Sequence, residues 1–266
     1  MPYKSLCLLA LVWLSCMSLL AQDKEVRSRL AAAHAQYYTP TVKGLKSFHC
    51  DASIDWKAML SRFSGTDIAD DNPALKFLQT VHLAVNDDLH GKGELEWTNT
   101  AEPPADRKPG MQQMQEGLQA TVSGFFQTWN AYMNGAMVPF PDSSVTVTKS
   151  GDGVHLSGTS TGTTVDEDYD KNMLLTKALV ANPTLTVLAK PTYTSTEDGL
   201  LLSSLISQIH QPPTAPETEA TFRIEYAKVG SYQIPSYVVV DIKNTGTIEF
   251  GLSACKVTVA DWAKKN

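Results

Sequence analysis

The stretch from Thr221 to Val259, TFRIEYAKVG SYQIPSYVVV DIKNTGTIEF GLSACKVTV, decides the fold. Phe222, Ile224 and Tyr226 alternate with Arg223, Glu225 and Ala227, and the same period of two returns at Ile234 to Ile242 and at Ile248 to Leu252. A period of two is the mark of strands buried on one face. Gly230-Ser231 and Asn244-Thr245-Gly246 separate the three runs. Connections this short join antiparallel neighbours, so the segment is a β-meander.

Working backwards, Val145 to Lys149, Val154 to Ser160 and Thr163 to Tyr169 read as another meander, turning at Gly151-Asp152-Gly153 and Thr161-Gly162. Thr184 to Thr194 and Leu200 to Ile209 read as further strands, as do the segments at Val81, Leu83 and Val85 and at Leu95 and Trp97. Near the start, Ser47 to Trp56 alternates with Phe48, Ile54 and Trp56 on its core face. Helical spacing appears over residues 23–43, with Gly44 in the place of a C-terminal cap, and Lys57 to Phe63 suits a short helix. The stretch Ala101 to Gly110, with Pro103, Pro104 and Pro109, is a loop. After it, Met111, Met114, Leu118, Val122, Phe125, Trp129 and Met133 recur at intervals of three and four, one face of a long helix over 110–134. The expectation is an α+β fold, a large antiparallel, half-barrel-like sheet covered by two or three helices.

The chain has 266 residues, 42% of them hydrophobic and 19% charged, which excludes a disordered or fibrous protein. Residues 1–21 pattern as a cleaved signal peptide: Lys4 at the front, an apolar run from Leu6 to Leu20, and small Ala21 before polar Gln22-Asp23. Lipidation at Cys16 is the alternative, and bulky Trp13 argues against it. Residues 22–266 then form a single domain with no membrane-spanning run, exported to a periplasmic or extracellular space. The net charge of −6, with no basic stripe, disfavours nucleic acid as a partner. Once Cys7 and Cys16 leave with the signal, Cys50 and Cys255 remain, and an oxidising compartment invites a disulfide between them. It would close nearly the whole chain into a loop and contribute about 4 to 5 kcal/mol. The alternative is two buried free thiols, which the phase of Cys255 against Ile248, Phe250 and Leu252 favours; the bond needs a bulge near Gly251 to Ala254 to restore it.

Candidate chemistry is sparse. Gly158-Thr159-Ser160-Thr161-Gly162, followed by Asp166 and His210, has the order of a nucleophile elbow and its partners, but both flanks read as strands where the motif needs a helix. Asp166, Asp168, Asp170 and Asn172 would line one strand face, yet Lys171 and Lys177 stand where a calcium loop requires Gly and Glu. The histidines have no zinc-site spacing, and Gly91-Lys92-Gly93 is a turn without the rest of a phosphate loop. No catalytic residue, metal or cofactor is expected, and the chain reads as a non-enzyme. The Met/aromatic face of Met114, Leu118, Phe125 and Trp129 either packs on the sheet as ordinary core or lines an apolar cavity.

The order of elements, together with Gly44-Leu45 after the first helix and the closing Phe222 to Gly230 and Ile234 to Val238 segments, resembles the periplasmic lipoprotein-sorting carriers with the LolA-like fold. The resemblance implies a half-open antiparallel barrel holding acyl chains under a helical lid, with Met114, Leu118, Phe125 and Trp129 as lid residues. The reading is therefore an exported, non-enzymatic protein binding a lipid or lipid-modified partner between sheet and helices. The alternative is a secreted structural or envelope-interaction protein with a closed core. Oligomeric state is left open.

Overall fold

The computed structural model describes residues 24–91, 93–103, 105, 107–134, 145–160, 162–211 and 217–263. The signal segment at residues 1–21 lies outside these. Among the described residues there are four helices, α1 (24–34), α2 (Trp56–Ser64), α3 (Pro73–Leu78) and α4 (Lys108–Asn134). The strands are β1 (Leu45–Ser53), β2 (Val81–Asp87), β3 (Glu94–Asn99), β4 (Val145–Ser150), β5 (Gly153–Ser160), β6 (Thr163–Tyr169), β7 (Leu175–Asn182), β8 (Leu185–Thr196), β9 (Gly199–His210), β10 (Thr218–Val229), β11 (Tyr232–Ile242) and β12 (Gly246–Val259).

All twelve strands form one antiparallel sheet in the order β3-β2-β1-β12-β11-β10-β9-β8-β7-β6-β5-β4. Every neighbouring pair but one is consecutive in the chain, the outcome that tight turns impose. The exception is β1 against β12, which brings the first and last strands together. The disulfide staples this seam, with Cys50 and Cys255 Cα atoms 4.1 Å apart. The bulge required by the phase of Cys255 is present. The β12 partners jump from Lys256, opposite His49, to Ser253, opposite Asp51, leaving Ala254 and Cys255 facing Cys50 alone. Ala254 takes φ +49° to make the turn, a left-handed conformation that costs an alanine about 1 kcal/mol.

Three expectations need correction. The first helix stops at residue 34, not 43, because Tyr37 and Tyr38 straighten to pair with β9: Tyr38 N–H donates to Leu200 O at 3.0 Å and Leu200 N–H to Gln36 O at 2.8 Å. Gly44 is therefore no helix cap; its φ of +93° and its lack of a side chain let Trp262 and Ala263 close against it. The strand expected to reach Trp56 ends at Ser53, since Asp55 turns the chain and caps α2 by accepting from Ala58 N–H at 2.9 Å. The helices number four rather than two or three: Asn72 and Pro73, expected only as a turn, start α3, with Asn72 Oδ1 accepting from Ala74 and Leu75 N–H. Strand β7 is also present where the alternation is too weak to mark one.

Two cores result. The larger lies between the sheet and helices α2, α3 and α4 and includes Phe48, Cys50, Leu78, Val85, Phe125, Phe126, Trp129, Val238 and Phe250. The smaller lies between α1 and β4–β7 and is built on Leu30, Ala33, Val154, Leu156, Tyr169, Met173 and Leu175. Tyr132 and Tyr193 pack against both.

Candidate functional site: an apolar groove beside the long helix

Helix α4 borders a groove along its first half and closed core along its second. Gly110, Gln113, Met114, Gly117, Leu118 and Thr121 follow helical spacing along its first half and form one wall of a groove. Met59, Leu60 and Phe63 of α2 form the opposite wall, and Ile242, Thr245 and Ile248 at the β11–β12 turn close the end. The groove encloses about 530 Å³. Its polar side chains are Gln113, Thr121 and Thr245, and Thr121 Oγ1 donates to Gly117 O at 2.9 Å. A Cβ at Gly110 or Gly117 would meet no atom within 4 Å, so neither glycine is required by packing inside the chain.

The walls are held by local chemistry. α2 is fixed at its start by the Asp55 cap and ends at Gly65, whose φ of +68° suits glycine. Arg62 Nη1 bonds Glu249 Oε1 at 2.6 Å and ties α2 to β12, while Trp56 packs edge-on against Trp97 with ring centroids 5.7 Å apart. α4 is docked to β3 by its polar flank: Gln119 Oε1 accepts from Leu95 N–H at 3.0 Å and Ser123 Oγ donates to Gly93 O at 2.6 Å. These bonds occupy backbone groups at the end strand of the sheet, which blunts that edge. Gly93 is needed here, since a Cβ would lie 2.5 Å from the Phe126 ring.

The four residues expected to bind ligand separate into two environments. Met114 and Leu118 line the groove, Leu118 from within the core at 2% exposure. Phe125 and Trp129 lie in closed core, each 1% exposed. Phe125 meets Phe126, Phe222 and Phe250, with centroids 4.8, 6.0 and 5.7 Å away. Trp129 packs against Phe48 and donates its Nε1–H to Tyr226 Oη at 3.0 Å, and Tyr226 Oη donates in turn to Leu202 O at 2.7 Å. Phe126 and Asn130 of α4 are buried as well, although they fall off the spacing that marks the stripe. On the far side of the groove, the contributions of Met59, Leu60 and Phe63 carried no advance signal beyond helical spacing.

Two buried carboxyls lie away from the groove. Asp87, 2% exposed, accepts from Leu89 N–H at 2.6 Å and from Asn130 Nδ2 at 2.9 Å. Burial pushes its carboxyl up to about 6 against the pull of these donors. Glu167 on β6, 7% exposed, accepts from Tyr169 Oη at 2.6 Å. Burial pushes this carboxyl to about 7, and burial together with the Glu167 charge pushes the phenols of Tyr132 and Tyr169 up as well.

The sequence's other chemical patterns do not assemble. Asp166 on β6 and His210 on β9 are separated by β7 and β8, about 14 Å at ordinary strand spacing, so no triad forms. Asp168 Oδ1 accepts from His155 Nδ1–H at 2.8 Å, whereas Asp170 turns its carboxylate to the N–H groups of Asn172 and Leu174. Asp166 and Asp168 do share one face, both against His155, whose Nε2 lies 3.7 Å from Asp166 Oδ1, but Asp170 leaves it. Among the described residues no group of three or more His, Cys, Asp or Glu side chains is placed to hold a metal, and no helix is long and apolar enough to cross a membrane. No family model, curated protein or solved structure matches the chain.

Proposed function

We propose that this is an exported, non-enzymatic protein, periplasmic or extracellular, that holds a lipid or the acyl chains of a lipid-modified partner in the groove between α2, α4 and the β11–β12 turn. The groove carries the reading. Its volume of about 530 Å³ suits a small ligand, Met59 and Met114 supply adaptable walls, and Phe63 at 55% exposure leaves an aromatic ring in water at its mouth. Gly110 and Gly117 lower the stability of α4 by about 1 kcal/mol each relative to alanine without serving any internal contact. Space kept open along an apolar wall is the compensation that binding would supply. An amide and two hydroxyls offer orientation but no acid–base or nucleophilic machinery.

Export is supported by the formed Cys50–Cys255 disulfide, a bond that oxidising compartments keep, together with the apolar leader. A long helix lying across an antiparallel sheet of this order also agrees with what the resemblance to lipoprotein-sorting carriers implies. One observation favours the structural alternative: half of the expected lid, Phe125 and Trp129, is sealed in the core.

Native mass spectrometry of the protein from an exporting host separates these readings. Lipid-sized adducts are expected on the wild type and are expected to vanish from Gly117→Phe, which fills the groove while leaving the melting temperature within a few degrees. A bare wild-type mass would overturn the carrier reading in favour of the closed structural protein.

A further inference from the structure

The sheet has two end strands, and only one is covered. At β3, helix α4 takes up backbone groups through Gln119 and Ser123. At β4 the phase of the ladder is set by its turn: Gly151, at φ +57°, opens a two-residue connection that makes Ser150 and Gly153 a hydrogen-bonded pair. Bonded and unbonded pairs alternate along an antiparallel ladder, so Thr148 with His155 and Thr146 with Ser157 also exchange bonds, while Val145, Val147 and Lys149 turn their N–H and C=O groups away from β5. Arg27 agrees with this phase, donating from Nη2 to Val145 O at 2.9 Å. Among the described residues nothing bonds the outward backbone groups of Val147 and Lys149.

A cavity of about 490 Å³ adjoins this open stretch, with Val147, Val154 and Met173 on the sheet side and Val26 of α1 opposite. Its α1 wall is fixed, since Leu30 and Ala33 are buried in the smaller core and Val26 packs against it. The charges around it are unbalanced. Arg29, which donates to Lys171 O at 3.3 Å, and the Lys149 and Lys171 ammonium groups form no ion pair among the described residues. These three cations stand against two carboxylates, Glu25 and Asp152, in a chain whose net charge is −6.

We propose that β4 is the docking edge for an extended polypeptide segment of a partner protein, added antiparallel as a further strand, with an apolar side chain opposite Val147 entering the cavity and a carboxylate opposite Lys149. Unpaired N–H and C=O groups at ladder spacing are matched by another backbone in the same extended state. The residue opposite Val147 points to the same side of the sheet as Val147 itself, which is the side of the cavity. The unpaired Lys149 sets the charge preference. A second copy of the chain fits the edge poorly: two-fold pairing centred on Val147 would set Lys149 of each copy against Val145 of the other, whose carbonyl Arg27 already holds, and would bring like charges together. Strands β5 to β10 lie between this edge and the nearest strand of the α4 groove, so the two sites are independent.

Residue-resolved amide exchange of the intact protein, titrated with the acetylated and amidated peptide TTETLTT, tests this. In antiparallel register the peptide sets its leucine against Val147 and its glutamate against Lys149. At about 1 mM peptide the Val147 and Lys149 amides are expected to exchange about tenfold more slowly, while Thr146 and Thr148, already bonded to β5, are unchanged. Lysine in place of the peptide's glutamate weakens the effect, and Lys149→Glu reverses that preference. Val147→Pro removes one outward donor but no bond to β5, a place where an edge strand tolerates proline; it abolishes the slowing at Lys149 and leaves exchange in β10–β12 as in the wild type. Fast exchange at Val147 and Lys149 up to about 10 mM peptide, indifference to the peptide's charge, or slowing that survives Val147→Pro would overturn the docking edge. Slowing without peptide that follows a dimer in sedimentation would overturn it in favour of a second copy. If Val147→Pro does not fold, the reversed preference of Lys149→Glu still decides.

Discussion

The two halves of α4 share one pattern and do opposite things. From Val122 to Met133 the stripe is sealed by Phe48, Phe126, Phe222, Phe250 and Tyr226, and even a polar residue beside it, Asn130, is buried against Asp87. From Gly110 to Thr121 the stripe faces a groove, and two of its members have no side chain at all. The difference teaches that helical spacing reports which face is apolar, and that only the surroundings decide whether that face is filled. Sheet strands supply bulky partners to the second half; α2 and a turn supply incomplete cover to the first.

That contrast can be broken by mutation. Trp129→Ala should produce the largest loss, about 4 kcal/mol in urea unfolding, because it leaves a cavity in a sealed core and strands the Tyr226 hydroxyl bond. Equal loss from truncations in the groove half would erase the distinction. The Asp87 carboxyl under the sealed half gives a pH signature. Raised from 3.8 to about 6, it contributes its stability below about pH 4 and loses it as pH rises through 6, so Asp87→Asn should gain about 3 kcal/mol on the wild type at pH 8 and nothing at pH 3.5. Matching pH profiles for the two proteins would show that the Asn130 and Leu89 bonds already compensate burial. In the groove half, Met114→Ala should cost about 1 kcal/mol or less, its side chain being half-buried, while weakening retention of lipid in native mass spectra. The smallest change has the opposite sign: Gly117→Ala should raise stability by about 0.5 to 1 kcal/mol, since the new methyl meets nothing and the unfolded chain loses freedom. A loss there would mean that the glycine serves packing rather than space.

Much of the sheet was legible because its strands alternate cleanly and its turns carry Gly, Asn and Ser. The pairing of Cys50 with Cys255 was legible too, down to the bulge that phase demanded. What local pattern could not show was set by contacts distant in sequence. Tyr37 and Tyr38 leave the helical state to meet Leu200, Trp56 leaves the strand because Asp55 caps a helix, and β7 is held as a strand by β6 and β8 on either side. The groove was half legible. Met114 and Leu118 were on the expected face, but no periodicity separates them from Phe125 and Trp129, and the α2 wall arrives from 50 residues upstream through the Arg62–Glu249 tie. Glu167 gave no signal in the sequence of being buried beside the Tyr169 hydroxyl.

The disulfide at the β1–β12 seam has a consequence for resistance to proteolysis. Because it joins residues 205 apart, most of the fold, from β1 to β12, lies inside one covalent ring, with α1 outside it. A protease that cuts the proline-bearing 100–107 connection would open the ring without releasing a fragment, and both pieces would stay paired along the seam. Nicked protein should therefore run as a single species until reductant is added, and a protease would need a second cut to dismantle it.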